Sequence, residues 1–150
     1  MKHRISVGAL ALKDKRLLLV RHHDQGKYDF WAPPGGGVEG EEELSAAVER
    51  EVFEETQIRV KAKRIAYIDE LIDDSGRMVK FWYYAEYISG EIDIHVNPAQ
   101  AERIVDAGRF SQAELPSGHV FPAVLRTAFW EELEIGFHTP IKLPLLKSIF

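Results

Sequence analysis

The chain has 150 residues, with nineteen Lys and Arg against twenty-four Asp and Glu, for a formal charge of −5. Hydrophobic residues make up 45% and charged residues 29%, an ordinary globular composition with no sign of disorder. The absence of cysteine excludes disulfides, thiolate catalysis and zinc–thiolate sites, and the acidic balance disfavours a nucleic-acid footprint.

A chain of this length fits one domain, 1–150, which can hide roughly 70% of its extended surface on folding. No apolar run reaches membrane-spanning length, so no membrane partner is expected, and a cytoplasmic location fits the lack of cysteine. At the N-terminus the apolar stretch meets Lys13, Asp14 and Lys15, so it reads as a strand and turn rather than a signal peptide. Residues 4–12 and 16–21 predict two strands joined by a turn. HHDQGKYDF follows as a polar connection. Residues 31–43, WAPPGGGVEGEEE, are expected to be irregular through their middle, because Pro33 and Pro34 break pairing and Gly35–Gly37 permit unusual backbone angles. A helix is predicted from about Glu42 to Thr56. QIRVKAKRIAYIDELI and GRMVKFWYYAEYISGEI predict two strands around the turn DDSG. Another strand is expected over 103–110, a turn or short helical piece at SQAELPSG, and a second helix over 119–134. The order predicts an α/β fold with a mixed sheet covered by helices.

The first helix contradicts its own amphipathic pattern. At 100° per residue, Leu44, Ala47, Val48 and Val52 form one apolar stripe. Glu51 and Glu55 fall on the same angular sector, and Glu54 lies on its edge. Like-charge pairs at i,i+3 and i,i+4 cost an isolated helix roughly 0.2–0.5 kcal/mol each. Charge at positions 54 and 55 also sits at the wrong end of the helix dipole. A bound divalent cation removes these objections, and carboxylate oxygen suits magnesium or manganese. The plain alternative is a solvated acidic face with Arg50 beside Glu54. The triple glycine offers backbone carbonyls to metal or N–H groups to phosphate, and Glu39 is within reach of the same cluster. The loop does not match the phosphate-binding motif ending in Lys and Ser or Thr.

Residues 36–58, GGVEGEEELSAAVEREVFEETQI, closely resemble the Nudix box of the Nudix hydrolases. Gly36, Glu42, Arg50, Glu51, Val52, Glu54, Glu55 and Ile58 stand at its spacing. Two positions depart. Gln57 replaces a glycine expected to cap the helix in the left-handed region, and Glu41 replaces another while Gly40 sits one place earlier. The resemblance implies an α/β/α sandwich with a mixed β-sheet and hydrolysis of a nucleoside diphosphate linked to another group. It further implies Mg2+, or alternatively Mn2+, held by Glu51, Glu54 and Glu55, with Gly36 as a backbone ligand.

On this reading Glu54, Glu51, Arg50 and Glu102 are the candidate catalytic residues. Arg50 orients a box carboxylate, with Glu42 a candidate partner. The water is deprotonated by Glu54 or by a later carboxylate, Glu102 before Asp106. Arg21, Lys80 and Arg103 are candidates to meet phosphate and Trp82 to stack on a base, although a lone surface cation is more often simply solvated. Adjacent His22 and His23 are poor joint metal ligands. The expected partner is a small phosphorylated nucleotide: a nucleotide sugar, a dinucleoside polyphosphate or a nucleoside triphosphate. The aromatic KFWYYAEY segment suits either a homodimer contact or the core. A non-catalytic nucleotide sensor or protein-interaction module on the same fold is the competing function, and an enzyme of RNA ends is disfavoured by the charge.

Overall fold

The computed structural model describes residues 1–147. β1 (His3–Lys13) and β2 (Arg16–Asp24) form a hairpin, followed by β3 (Tyr28–Ala32), β4 (Gly35–Gly37) and α1 (Leu44–Thr56). A long hairpin, β5 (Arg59–Asp73) and β6 (Gly76–Ser89), precedes α2 (Asn97–Ala101), β7 (Ile104–Phe110) and α3 (Phe129–Ile135). Two short strands, β8 (Ile141–Lys142) and β9 (Leu146–Lys147), lie along β5. The sheet order is β3-β2-β1-β6-β5-β8, with β4 on β1, β7 on β2 and β9 on β5. It is mixed, because β1 runs parallel to β6 while the two hairpins are antiparallel.

Strand alternation sends side chains to opposite faces of the sheet. Val7, Ala9 and Ala11 pack with Ala47, Val48 and Val52 of α1. Leu10, Leu17, Leu19, Tyr67 and Trp82 pack with Leu125 and Phe129 on the other side. The result is the expected α/β/α sandwich with a mixed sheet.

Three sequence expectations are corrected. The triple glycine is not irregular: Gly35, Gly36 and Gly37 pair antiparallel with Gly8, Val7 and Ser6. Glycine permits this because a Cβ at Gly35 would stand 2.3 Å from the Val7 carbonyl oxygen. Pro34 lacks a donor but its carbonyl accepts from the Ala9 N–H at 2.9 Å, so proline does not end the ladder. The polar stretch 22–30 is mostly strand, since β2 continues to Asp24 and β3 begins at Tyr28, across a turn at Gly26 with φ +79°. The helix expected over 119–134 is a 3-10 turn, Ala123–Arg126, and the short α3, separated by Thr127 at φ −128°, ψ −99°.

One consequence positions the site. β1 pairs with β2 only near the hairpin, at Leu12↔Leu17 and Lys13↔Arg16. Further back β1 takes β4 as its partner, and β2 instead pairs with β3 and β7. The sheet therefore divides, and a cleft of about 1070 Å³ opens there.

Candidate active site

α1 carries its acidic residues where the apolar stripe predicted. Glu51 is 8% exposed and Glu55 only 1%, in line with buried Val48. Burial pushes both carboxyls above the usual range, Glu55 far more, with Glu51 adding repulsion. Glu55 Oε1 accepts the Gly35 N–H at 3.2 Å, while its Oε2 is buried without a partner. Gly36 is shaped to Glu51: a Cβ there would meet the Glu51 carboxylate at 2.6 Å. The Gly36 carbonyl accepts the Ser6 hydroxyl at 2.8 Å.

Arg50 organises the remaining carboxylates. It grips Glu42 with both ends of its fork, Nη2 to Oε1 at 2.6 Å and Nε to Oε2 at 3.0 Å. Nη1 reaches Glu51 at 2.8 Å and Glu54 at 3.2 Å, and Nη2 also reaches the Gly37 carbonyl at 3.1 Å. Exposed Glu39 joins at 3.6 Å. The Arg50 bonds, with the Glu39 N–H, hold the Glu42 carboxyl down at about 2, and the carboxylates raise the Arg50 pKa. The Glu42 partnership suspected from the sequence is present.

The three box glutamates do not converge on one point. Glu51 and Glu54 turn to Arg50, whereas Glu55 turns to Gly35. Among the described residues no three His, Cys, Asp or Glu side chains are gathered into a metal-enclosing group. The pair Glu51 and Glu55 still fits a hard cation. Both offer carboxylate oxygen, they repel each other in a buried setting, and Glu55 Oε2 lacks the donor that a buried acceptor requires.

Glu51, Glu54 and Glu55 do not themselves line the cleft; it adjoins Glu55 and Glu51 through Gly35 and Gly36, which form part of its wall and touch those two carboxylates. Of the candidate site residues, Lys80 and Glu102 line it, as does Gly36. Four other candidates stand elsewhere. Arg21 lies on the opposite face of β2 from His22, bonds Asp29 at 2.7 and 2.8 Å, and lines a separate cavity. Asp106 pairs in register with Arg21, and Arg103 sits beside Asp24 at 3.8 Å. Trp82 is 4% exposed in the second core and cannot stack on a nucleotide base.

The sequence reading missed the aromatic wall. His22 stacks on Phe30 with centroids 4.9 Å apart, its Nδ1 lies 3.3 Å from the Glu102 carbonyl oxygen, and burial lowers its pKa. Tyr28, Ser6 and Met78 also line the cleft. Reading 22–30 as two paired strands would have placed His22, Tyr28 and Phe30 together on the face opposite Arg21.

Fold and site together define an α/β/α sandwich with a helix-borne carboxylate site behind a glycine strand. The chain belongs to the NUDIX domain family, whose profile matches residues 2–127. An ADP-ribose pyrophosphatase of Methanocaldococcus jannaschii is 29% identical over 100 residues, 65% of this chain and 59% of that protein. A MutT-like protein of Streptomyces ambofaciens is 43% identical over 70 residues, 46% of this chain and 40% of its own length. The chain thus spans little more than half, or less, of these relatives. The crystal structure of a MutT NUDIX hydrolase from Burkholderia pseudomallei shares 27% identity, covers 84% of this chain and 96% of its own, and superposes with a TM-score of 0.71. Among the described residues no helix is long and apolar enough to cross a membrane.

Proposed function

We propose that the protein is a metal-dependent pyrophosphohydrolase acting on a nucleoside diphosphate linked to another moiety. The observation that carries this reading is the buried, half-unpartnered carboxylate of Glu55 beside Glu51, within the segment matched to the family. A non-catalytic module has no need of two mutually repelling buried carboxylates, which weighs against the competing function.

Glu55 and Glu51 hold Mg2+ or Mn2+, with Gly36 and Glu54 as further candidate ligands. The ion, when bound, supplies charge neutralisation for phosphoryl oxygens and acidifies water. Arg50 positions Glu51 and Glu54 through the bonds at 2.8 and 3.2 Å. Glu102 is the stronger candidate for accepting the proton of the attacking water, because it is exposed and lines the cleft, while Glu54 is tied to Arg50. Lys80 meets an anionic oxygen of the substrate, and the wall of His22, Tyr28 and Phe30 offers a stacking surface for a ring.

One relative named above is an ADP-ribose pyrophosphatase, which supports including ADP-ribose, a nucleotide sugar, beside nucleoside triphosphates and dinucleoside polyphosphates among the substrates to try. A substrate panel with Mg2+ or Mn2+ and product identification tests the proposal. Release of a nucleoside monophosphate with a sugar phosphate, or of inorganic pyrophosphate, is the expected kind of result. Nucleotide binding without turnover of any diphosphate under either metal would overturn it in favour of the sensor.

A further inference from the structure

Lys80 reaches the cleft by an unusual route. It is a β6 residue, paired with Ser6 of β1 on one side and with Asp69 of β5 on the other. Two places along, Trp82 pairs with Gly8. A Cβ on Gly8 would stand 2.3 Å from the Trp82 ring and 3.0 Å from Lys80 Cε. Gly8 is therefore a gap in the surface of β1, filled by the indole and by the aliphatic stem of Lys80. The Lys80 ammonium lies 4.2 Å from the Trp82 ring centroid, within cation–π range.

Asp69 anchors this arrangement from behind. One carboxylate oxygen, Oδ2, lies 3.5 Å from the Trp82 indole Nε1, which donates to it. The other, Oδ1, is buried without a partner. Lys80 feels the negative fields of Glu55, Asp69 and Glu51, but among the described residues it forms no ion pair. A lysine that is half-buried, held on an aromatic face and paired with no carboxylate among the described residues is poorly compensated, and its open side is the cleft. The ligand chemistry that completes it is an anionic oxygen, as a diphosphate carries.

We propose that Asp69 and Trp82 are positioning residues that hold Lys80 across Gly8 with its ammonium presented to a phosphate oxygen in the cleft. The inference rests on the substrate-binding reading of Lys80 given above and adds the residues that act through it. Its physical content is preorganisation: a lysine loses much rotamer freedom on gripping a ligand, and a ring that holds it beforehand, itself oriented by the Asp69 carboxylate, reduces that loss.

The test is a double-mutant cycle on binding, which needs no turnover. Inorganic pyrophosphate is titrated calorimetrically into the protein with Mg2+ present. Lys80→Met is expected to weaken binding about tenfold or more, the loss of a charge-assisted hydrogen bond. Asp69→Asn is expected to weaken it about threefold to tenfold in the Lys80 protein and to have no further effect in the Lys80→Met protein. Lys80→Arg, which keeps the charge and a long stem, is expected to recover part of the loss. If Asp69→Asn does not fold, as judged by thermal melting, Trp82→Phe takes its place in the cycle. Equal effects of the second substitution in both backgrounds mean a merely structural role and overturn the proposal. So does unchanged binding in Lys80→Met, or the absence of saturable pyrophosphate binding in the unaltered protein. If the cycle couples while no diphosphate is ever hydrolysed, the positioning role stands and the hydrolase reading alone fails.

Discussion

The two sides of α1 treat charge in opposite ways. Around Arg50 charge is well compensated: one guanidinium meets Glu42, Glu51, Glu54 and Glu39, and Glu42 also accepts the Glu39 N–H at 2.9 Å. Around Glu55 and Lys80 it is not: Glu55 Oε2 and Asp69 Oδ1 are buried without donors, and Lys80 has no ion pair among the described residues. The first arrangement resembles what structural ion networks do, and the second is where a ligand still has something to supply. Isolated buried charge persists where function requires it, so the contrast marks Glu55 and Lys80 for the site without reference to any relative, while Glu51 and Glu54 join the site to the Arg50 network.

The largest expected effect tests the under-compensated side. Glu55→Gln should cut metal-dependent turnover by at least about a hundredfold, read as kcat on the best substrate of the panel. The same change should raise the melting temperature of the metal-free protein at neutral pH, because it removes an uncompensated buried charge. A variant with full turnover and unchanged stability would erase the contrast. The sign in pH agrees. The folded Glu55 pKa lies above its unfolded value, so its contribution to metal-free stability is fully present below that unfolded value and is lost as pH rises through the folded one.

On the compensated side, Arg50→Ala should destabilise the fold by roughly 3 kcal/mol, since it strands several partly buried carboxylates at once. Denaturant unfolding measures this. A loss below about 1 kcal/mol would mean the network is an ordinary surface one. Glu42 gives the opposite pH dependence to Glu55. Its folded value near 2 lies below the ordinary 4.5, so its stabilisation is present above about pH 4.5 and lost as pH falls towards 2. Glu42→Gln should therefore flatten the acid limb of a stability–pH curve and leave the limb above neutral pH unaltered.

The smallest effect concerns the end of the same helix. Gln57 sits at φ +65°, ψ +10°, its N–H bonded to the Phe53 carbonyl at 2.8 Å. A side chain there costs roughly 1–2 kcal/mol, part of which glycine returns as chain entropy in the unfolded state. The Gln57 amide also donates to the Phe53 carbonyl at 3.0 Å, a bond glycine would lose. Gln57→Gly is expected to raise stability by at most about 1 kcal/mol, with turnover unchanged.

Much of the fold was legible because its signals are local. The strands at 4–12 and 16–21, the DDSG turn and the helix ending at Thr56 follow from alternation, turn chemistry and helical periodicity, and each lies within two or three residues of its expected bounds. Asp73 caps the Ser75 N–H at 2.8 Å, as a turn residue should. Where periodicity failed, the cause was tertiary. Three glycines form a strand, with the Pro34 carbonyl bonded to Ala9, because β1 needs a partner after it leaves β2, and the polar residues 22–24 and 28–30 pair with each other across the turn at Gly26.

From the sequence alone came the buried glutamate sector, a consequence of angles and spacings along a single helix, while Glu42 as a candidate partner of Arg50 and Gln57 at the left-handed cap position came through the Nudix resemblance. Only the tertiary structure decided which cations face the site. Arg21 and His22 are neighbours in the chain, yet strand alternation sends one to Asp29 and the other to the cleft. Lys80 reaches the cleft while Trp82, two residues on, is buried beneath it, because glycine stands opposite on β1. Proximity across strands depends on register and on the atoms absent from a neighbouring residue, and neither is written in the spacing of a single segment.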